Sequence, residues 1–247
     1  MDKEKDYIFG IRAVIEAIKS GKEIDKILIK RGLAGDIYQE LFSLVRENKI
    51  PFQYVPIEKL NRVTRKNHQG VIAFLSVIIY QDIENIIPAL FEQGENPFIL
   101  ILDGITDVRN LGAIARSAEC AGVHAIVIPD KGSAQINADA MKTSAGALNY
   151  IPVCRSRNLV TTIKYLQNCG LTTVAATEKA KDNYYLHDFQ KPLTLVMGSE
   201  ESGISPEILR IAESWLKVPI VGKIESLNVS AAASILIFEV VRQRIAN

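Results

Sequence analysis

From Pro97 onward the chain alternates short, wholly apolar runs with helical patterns, and this rhythm restricts its fold more than any other feature. Phe98–Leu102 and Ala125–Ile128 are strand-sized blocks with no polar residue, and Leu193–Met197 is a third, interrupted only by Thr194. A strand with one wet face would alternate polar and apolar positions; a block apolar at every position has both faces buried. Helical patterns lie between the blocks at 111–121, 138–147, 159–168 and 206–212, with further strands at 171–176 and 215–218 and a final helix from about Val229 to Arg244. Strands and helices in alternation imply an α/β fold with a parallel sheet covered on both faces. Ligands of such sheets bind beyond the carboxyl ends of the strands.

Three polar, glycine-bearing segments fall at those ends. The first, Asn110-Leu111-Gly112-Ala113-Ile114-Ala115-Arg116, sets an amide and a guanidinium in a run of small apolar residues. A cation is unfavourable at a helix N-terminus, so Arg116, read as one turn into its helix, calls for a compensating anion. Gly104 and Gly112 do not fit the dinucleotide-binding Gly-x-Gly-x-x-Gly spacing, which disfavours a Rossmann cofactor site. The second segment, Gly198-Ser199-Glu200-Glu201-Ser202-Gly203, offers Glu200 either as a helix cap or as a group holding a substrate. Ser205-Pro206-Glu207 already makes a favoured helix start, which weakens the capping role. The third is Ser226-Leu227-Asn228-Val229-Ser230, where three small polar side chains crowd one helix start. Preceding it, Val218 and Ile220 with Leu227 can line a flat pocket for a purine ring.

The first 76 residues read as a smaller α/β unit. Ile11, Val14, Ile15 and Ile18 recur at helical spacing, and a second helix is expected over 36–47 with Ile37, Leu41, Leu44 and Val45 inward. Strands are expected at 26–30, 52–55 and 71–75. Residues 77–96, punctuated by Pro88 and Gly94, are expected to be a linker with a short helix at 83–91, leaving 97–247 as the second domain.

Charge is uneven between these parts. Residues 1–76 carry 14 Lys and Arg against 10 Asp and Glu, whereas the remainder carries 15 against 18. The excess gathers between Lys59 and His68, where Lys59, Arg62, Arg65 and Lys66 stand without an acid. A phosphate-binding face has this composition, and so does a solvated helix end.

Other classes are disfavoured. No apolar run approaches the roughly 20 residues needed to cross a bilayer. The start Met1-Asp2-Lys3-Glu4-Lys5-Asp6 lacks a signal-peptide core, so a cytoplasmic location is expected, with no membrane partner. Cys120, Cys154 and Cys169 form no Cys-x-x-Cys pair and read as buried free thiols; with His68, His124 and His187 equally scattered, no metal is expected.

Asn110-x-Gly112-x-x-x-Arg116, Gly198-x-Glu200-x-x-Gly203 and Ser226-Leu227-Asn228-Val229-Ser230 together resemble, in order and spacing, the three motifs of the SpoU/TrmH family of RNA 2′-O-ribose methyltransferases. Ile8-Phe9-Gly10-Ile11-Arg12-Ala13-Val14 and His68-Gln69-Gly70-Val71 resemble that family's ribosomal-protein-like substrate-binding domain, and the likeness is greatest to bacterial enzymes acting on a guanosine of 23S ribosomal RNA. The resemblance implies a trefoil knot in the second domain, S-adenosyl-L-methionine as cofactor, and a homodimer with its site at the subunit interface. It implies cofactor contacts from Thr177, Gly198, Val218, Ile220 and Leu227, and a catalytic set of Asn110, Arg116, Glu200, Ser226 and Asn228. RNA contacts are expected from Arg62, Arg65 and Lys66, and no DNA partner is expected. A transfer-RNA substrate, or a non-catalytic ribosome-assembly factor on the same fold, remain the rival readings.

Overall fold

The computed structural model describes residues 7–245. The first six residues, on which the expectation of no signal peptide rests, lie outside that range, as do Ala246 and Asn247. The described chain forms two compact units, divided between Ile79 and Tyr80.

The N-terminal unit runs β1 (Tyr7–Phe9), α1 (Ile11–Lys19), β2 (Ile24–Lys30), α2 (Asp36–Glu47), β3 (Phe52–Val55), α3 (Ile57–Val63) and β4 (Val71–Leu75), of which the short β1 and α3 are not anticipated from the sequence. The strands join in the order β1-β4-β2-β3, with β4 antiparallel to both neighbours and β2 parallel to β3. α1 and α2 bury Val14, Ile15, Ile18, Leu41 and Val45 against Ile27, Ile29, Val71 and Ala73 on one face. Ile37, expected inward, is 39% exposed, because the first turn of α2 precedes the stripe that meets the sheet.

The second unit begins earlier than the sequence suggests. Residues 77–96 are not merely a linker: α4 (Ile83–Glu92), capped by Asp82, buries Ile83 and Ile87 in the same core as Ile99, Ile101 and Val127. Pro88 and Gly94 read as breakers, but Pro88 sits within α4. The rest runs β5 (Phe98–Asp103), α5 (Val108–Cys120), β6 (Ala125–Pro129), α6 (Ala138–Thr143), β7 (Val153–Ser156), α7 (Leu159–Asn168), β8 (Thr172–Ala176), β9 (Asp182–Asn183), β10 (Leu193–Gly198), α8 (Pro206–Ile211), β11 (Ser214–Lys217) and α9 (Val229–Ile245). β7 and β9 escape a sequence reading, since four and two residues carry too little pattern to register. α6 stops four residues short of the expected helix, where Ala145 and Gly146 take positive φ.

The seven strands pair entirely in parallel, in the order β7-β6-β5-β10-β8-β11-β9. The strands β5 and β10 lie side by side near the middle, with Leu100, Leu102, Leu195 and Met197 buried. Their shared end carries Asp103 and Gly198 as register partners. Of the three cysteines only Cys154 is buried, and burial pushes its thiol up to about 12; Cys120, ending α5, is exposed. Among the described residues no helix is long and apolar enough to cross a membrane.

Candidate active site

A cavity of about 700 Å³ opens at the carboxyl ends of β8, β10 and β11. Its walls come from Ala176 and Thr177 after β8, the 197–203 turn after β10, Leu216 to Ile220 around the end of β11, and residues 225–229 entering α9. This volume lies in the usual range for a small-molecule site. All five expected cofactor residues line it: Thr177, Gly198, Val218, Ile220 and Leu227. Glu200, Ser226 and Asn228 of the expected catalytic set line it as well. The parallel sheet is the reason, because strand ends distant in sequence must share one edge.

The turn after β10 is built to present Glu200. Ser199 and Gly203 exchange backbone hydrogen bonds, N–H to O, at 3.1 and 2.9 Å, and Ser202 N–H donates to Ser199 Oγ at 3.1 Å. Gly203 closes the turn at φ 67°, a conformation glycine adopts without steric cost. Gly198 is required by space: a Cβ there would stand 2.2 Å from the Gly203 carbonyl carbon. Gly112 has a similar role on α5, where a Cβ would meet Thr143 Cβ at 2.7 Å, so α5 and α6 pack closely.

Glu200 Oε1 then gathers three donors: Asn228 Nδ2 at 2.6 Å, Asn110 Nδ2 at 3.2 Å and the Val229 backbone N–H at 3.2 Å. Asn228 Nδ2 also donates to Asn110 Oδ1 at 3.0 Å, closing the group. Asn228 is the cap of α9, its Oδ1 accepting from the Ser230 N–H at 3.0 Å. The Glu200 carboxylate therefore sits at a helix N-terminus, where the unpaired N–H groups favour negative charge. It accepts from the first N–H of α9 and does not cap α8, the role that the Ser205-Pro206-Glu207 start already disfavoured. Ser205, expected to cap α8 with its side chain, makes no such bond; its N–H donates to Asp103 Oδ2 at 2.7 Å instead.

Arg116 stands apart from this group. α5 starts at Val108, so Arg116 is the ninth of thirteen residues rather than in the first turn, and the expectation of a cation at a helix N-terminus is corrected. Six residues separate it from Asn110, which turns it about 120° away and carries it roughly 9 Å along the axis. It is exposed and does not line the cavity. Ser226 is exposed at the rim. Sequence reasoning missed Ala176, Met197, Leu216 and Leu236 as cavity walls, although the rule about strand ends points to the first three.

In the N-terminal unit Arg62, Arg65 and Lys66 are exposed, Arg62 in the last turn of α3, where a cation suits the helix dipole. His68, from the same stretch, is 6% exposed and structural: its Nδ1 accepts from the Gly70 N–H at 3.0 Å, which leaves Nε2 to donate to Asn61 Oδ1, also at 3.0 Å. Gln69 Oε1 accepts from the Ile11 N–H at 3.2 Å and ties the start of α1 to the same turn.

Comparison with known proteins agrees with this architecture. Residues 97–238 match the SpoU rRNA methylase family, and residues 7–80 match a domain described as RNA 2′-O ribose methyltransferase substrate binding. A putative TrmH family tRNA/rRNA methyltransferase of Bacillus subtilis, YacO, is 35% identical over 99% of this chain and 98% of its own. One from Staphylococcus saprophyticus is 36% identical over 98% and 97%. Among solved structures, the SpoU methyltransferase AviRb of Streptomyces viridochromogenes, in complex with the cofactor AdoMet, has the same fold, with a TM-score of 0.61, 23% identity and coverage of 98% and 91%. The A. aeolicus TrmH/SpoU tRNA modifying enzyme is 30% identical over 66% of this chain and 84% of its own, with a TM-score of 0.57. With both of its units matched and relatives more than a third identical over nearly its whole length, the chain belongs to the SpoU rRNA methylase family.

Proposed function

We propose that this protein transfers a methyl group from S-adenosyl-L-methionine to a ribose 2′-hydroxyl of RNA, with a guanosine of 23S ribosomal RNA as the target and a homodimer as the working unit. The observation that carries the reading is the Asn110–Glu200–Asn228 group at the rim of the cavity. The cavity also fits the donor chemically. Leu216, Val218, Ile220, Leu227 and Leu236 supply apolar wall for an adenine, while Thr177, Ser199 and Ser226 supply polar groups for its other parts. Ile220 and Leu227 are 42% and 40% exposed, so a ligand has apolar surface there to cover.

The bound donor supplies an electrophilic methyl on a sulfonium. A ribose hydroxyl is a poor nucleophile until its proton leaves, so the protein's task is to favour the developing alkoxide. Guanidinium stays protonated in proteins, so Arg116 acts as an electrostatic stabiliser of that oxygen and of a neighbouring phosphate while another acceptor takes the hydroxyl proton. Since Arg116 lies off the Asn110–Glu200–Asn228 group within one chain, a second copy would bring it there. Ile235 and Phe238, 36% and 47% exposed on α9, support such pairing. Glu200 holds Asn110 and Asn228 in fixed orientation, and Asn228 with Ser226 grips the ribose or its phosphate. Arg62, Arg65 and Lys66 supply sequence-independent phosphate contacts.

The decisive experiment incubates the protein with labelled S-adenosylmethionine and unmodified ribosomal or transfer RNA. Ribose methylation is then mapped by resistance to alkaline cleavage. Label resistant to cleavage at a ribosomal guanosine is expected; label only on bases, or none, overturns the reading. Arg116→Lys is expected to keep donor affinity and lose transfer, because a point charge does not replace a planar fork.

A further inference from the structure

The two faces of the N-terminal sheet are finished differently. α1 and α2 cover one of them. On the other lies α3, whose Leu60 and Val63 pack on Leu28, Val55 and Ile72. Strand register sorts that second face into rows. Phe9, Ile72 and Leu28 share the row beneath α3, since Phe9 pairs with Ile72 and Ile72 with Leu28. Tyr7, Phe74 and Lys26 share the next row by the same pairings. Tyr7 and Phe74 pack at the margin of the cluster that Leu60 joins and stay partly exposed.

The outer row is aromatic. The Tyr7 ring lies 6.2 Å from that of Phe74 and 6.3 Å from that of Phe9, tilted rather than stacked, and Lys26 Nζ stands 5.3 Å from the Phe74 centroid. All four side chains are partly exposed. Rings left open on a sheet, with a cation beside them, suit nucleobases, since every base offers a π-face and stacking tolerates sequence. The cations come from other parts of the same unit: Lys26 from β2, and Lys59, Arg62, Arg65 and Lys66 from α3 and the loop that follows it. The basic stretch with Lys59, Arg62, Arg65 and Lys66 runs from α3 into β4, and the His68–Asn61 and Gln69–Ile11 hydrogen bonds staple it to the β1 and β4 ends.

We infer that this open half-face is a stacking platform for an unpaired segment of the RNA substrate. Tyr7 and Phe74 receive the bases with Phe9 packed behind them, and Lys26 with the basic stretch holds the phosphates. The inference rests on the RNA reading above and adds that the N-terminal unit selects single-stranded over duplex RNA.

The test uses the full chain and two fluorescent RNAs, a single strand and a hairpin duplex of equal length. Tyr7→Leu and Phe74→Leu keep apolar volume but remove the ring. Each is expected to weaken single-strand binding about five- to tenfold, and duplex binding less than about twofold. The salt dependence of binding should not change in either, whereas Arg65→Gln should flatten it. Tyr7→Trp is expected to retain binding, which separates a lost ring from a damaged fold. Equal weakening on both RNAs overturns the platform. So does unchanged single-strand binding in variants of an enzyme that still methylates RNA, which leaves the transfer reading standing. A wild-type protein that binds neither RNA overturns both.

Discussion

Two loops border the same cavity and are built in opposite ways. Residues 199–203 close on themselves through reciprocal backbone bonds and a serine pair, with Gly198 and Gly203 allowing the tight path. Residues 219–228 are all exposed, Val221 at 98%, and among the described residues no backbone pairing holds them until Asn228 begins α9. The first loop fixes polar geometry before any ligand arrives. The second leaves the apolar side chains of Ile220, Val221, Ile224 and Leu227 exposed. A transfer enzyme needs both, because catalytic groups must be preorganised whereas a ligand must enter and leave.

Four substitutions would break or sharpen this contrast. Glu200→Ala removes the acceptor shared by three donors and is expected to lower the transfer rate about 100-fold or more, since small misplacement of positioned groups costs that much. Donor affinity, read by titration calorimetry, should change far less. Gly198→Ala forces a Cβ into the Gly203–Ile204 backbone and is expected to cost about 2 kcal/mol of stability, read as a lower melting temperature. A stable Gly198→Ala protein would show that the closed loop yields as easily as the open one. Ile220→Ser in the open loop should leave stability within about 0.5 kcal/mol and weaken the donor roughly tenfold. Asn228→Ala, at the junction of loop and helix, loses the α9 cap and is expected to cost about 1 kcal/mol in denaturant titration. Hydrogen exchange separates the loops directly: added donor should slow exchange in 219–228 and leave 199–203 nearly unchanged.

The strength of each local signal explains what could be read early. Phe98–Leu102, Leu159–Asn168 and Asp36–Glu47 are legible because long, periodic or fully apolar stretches overdetermine their structure. Val153–Ser156 is a strand that its own four residues do not announce; pairing along β6 makes it one. Pro88 and Gly94 look like linker punctuation, but Ile83 and Ile87 find a core that the local sequence does not contain. Arg116 was misplaced for a related reason, because the start of α5 at Val108 depends on Asp107 as its cap, outside the motif that drew attention.

The sequence alone determined the longer elements of the fold and the chemical types gathered in its three polar segments, since periodicity and glycine spacing are local properties of a chain. Tertiary structure decided that β10 lies between β5 and β8, and so decided that Glu200 meets Asn110 and Asn228 across 90 and 28 residues. Which strand sits beside which depends on non-local packing of interchangeable apolar faces, and no residue records its neighbour's address.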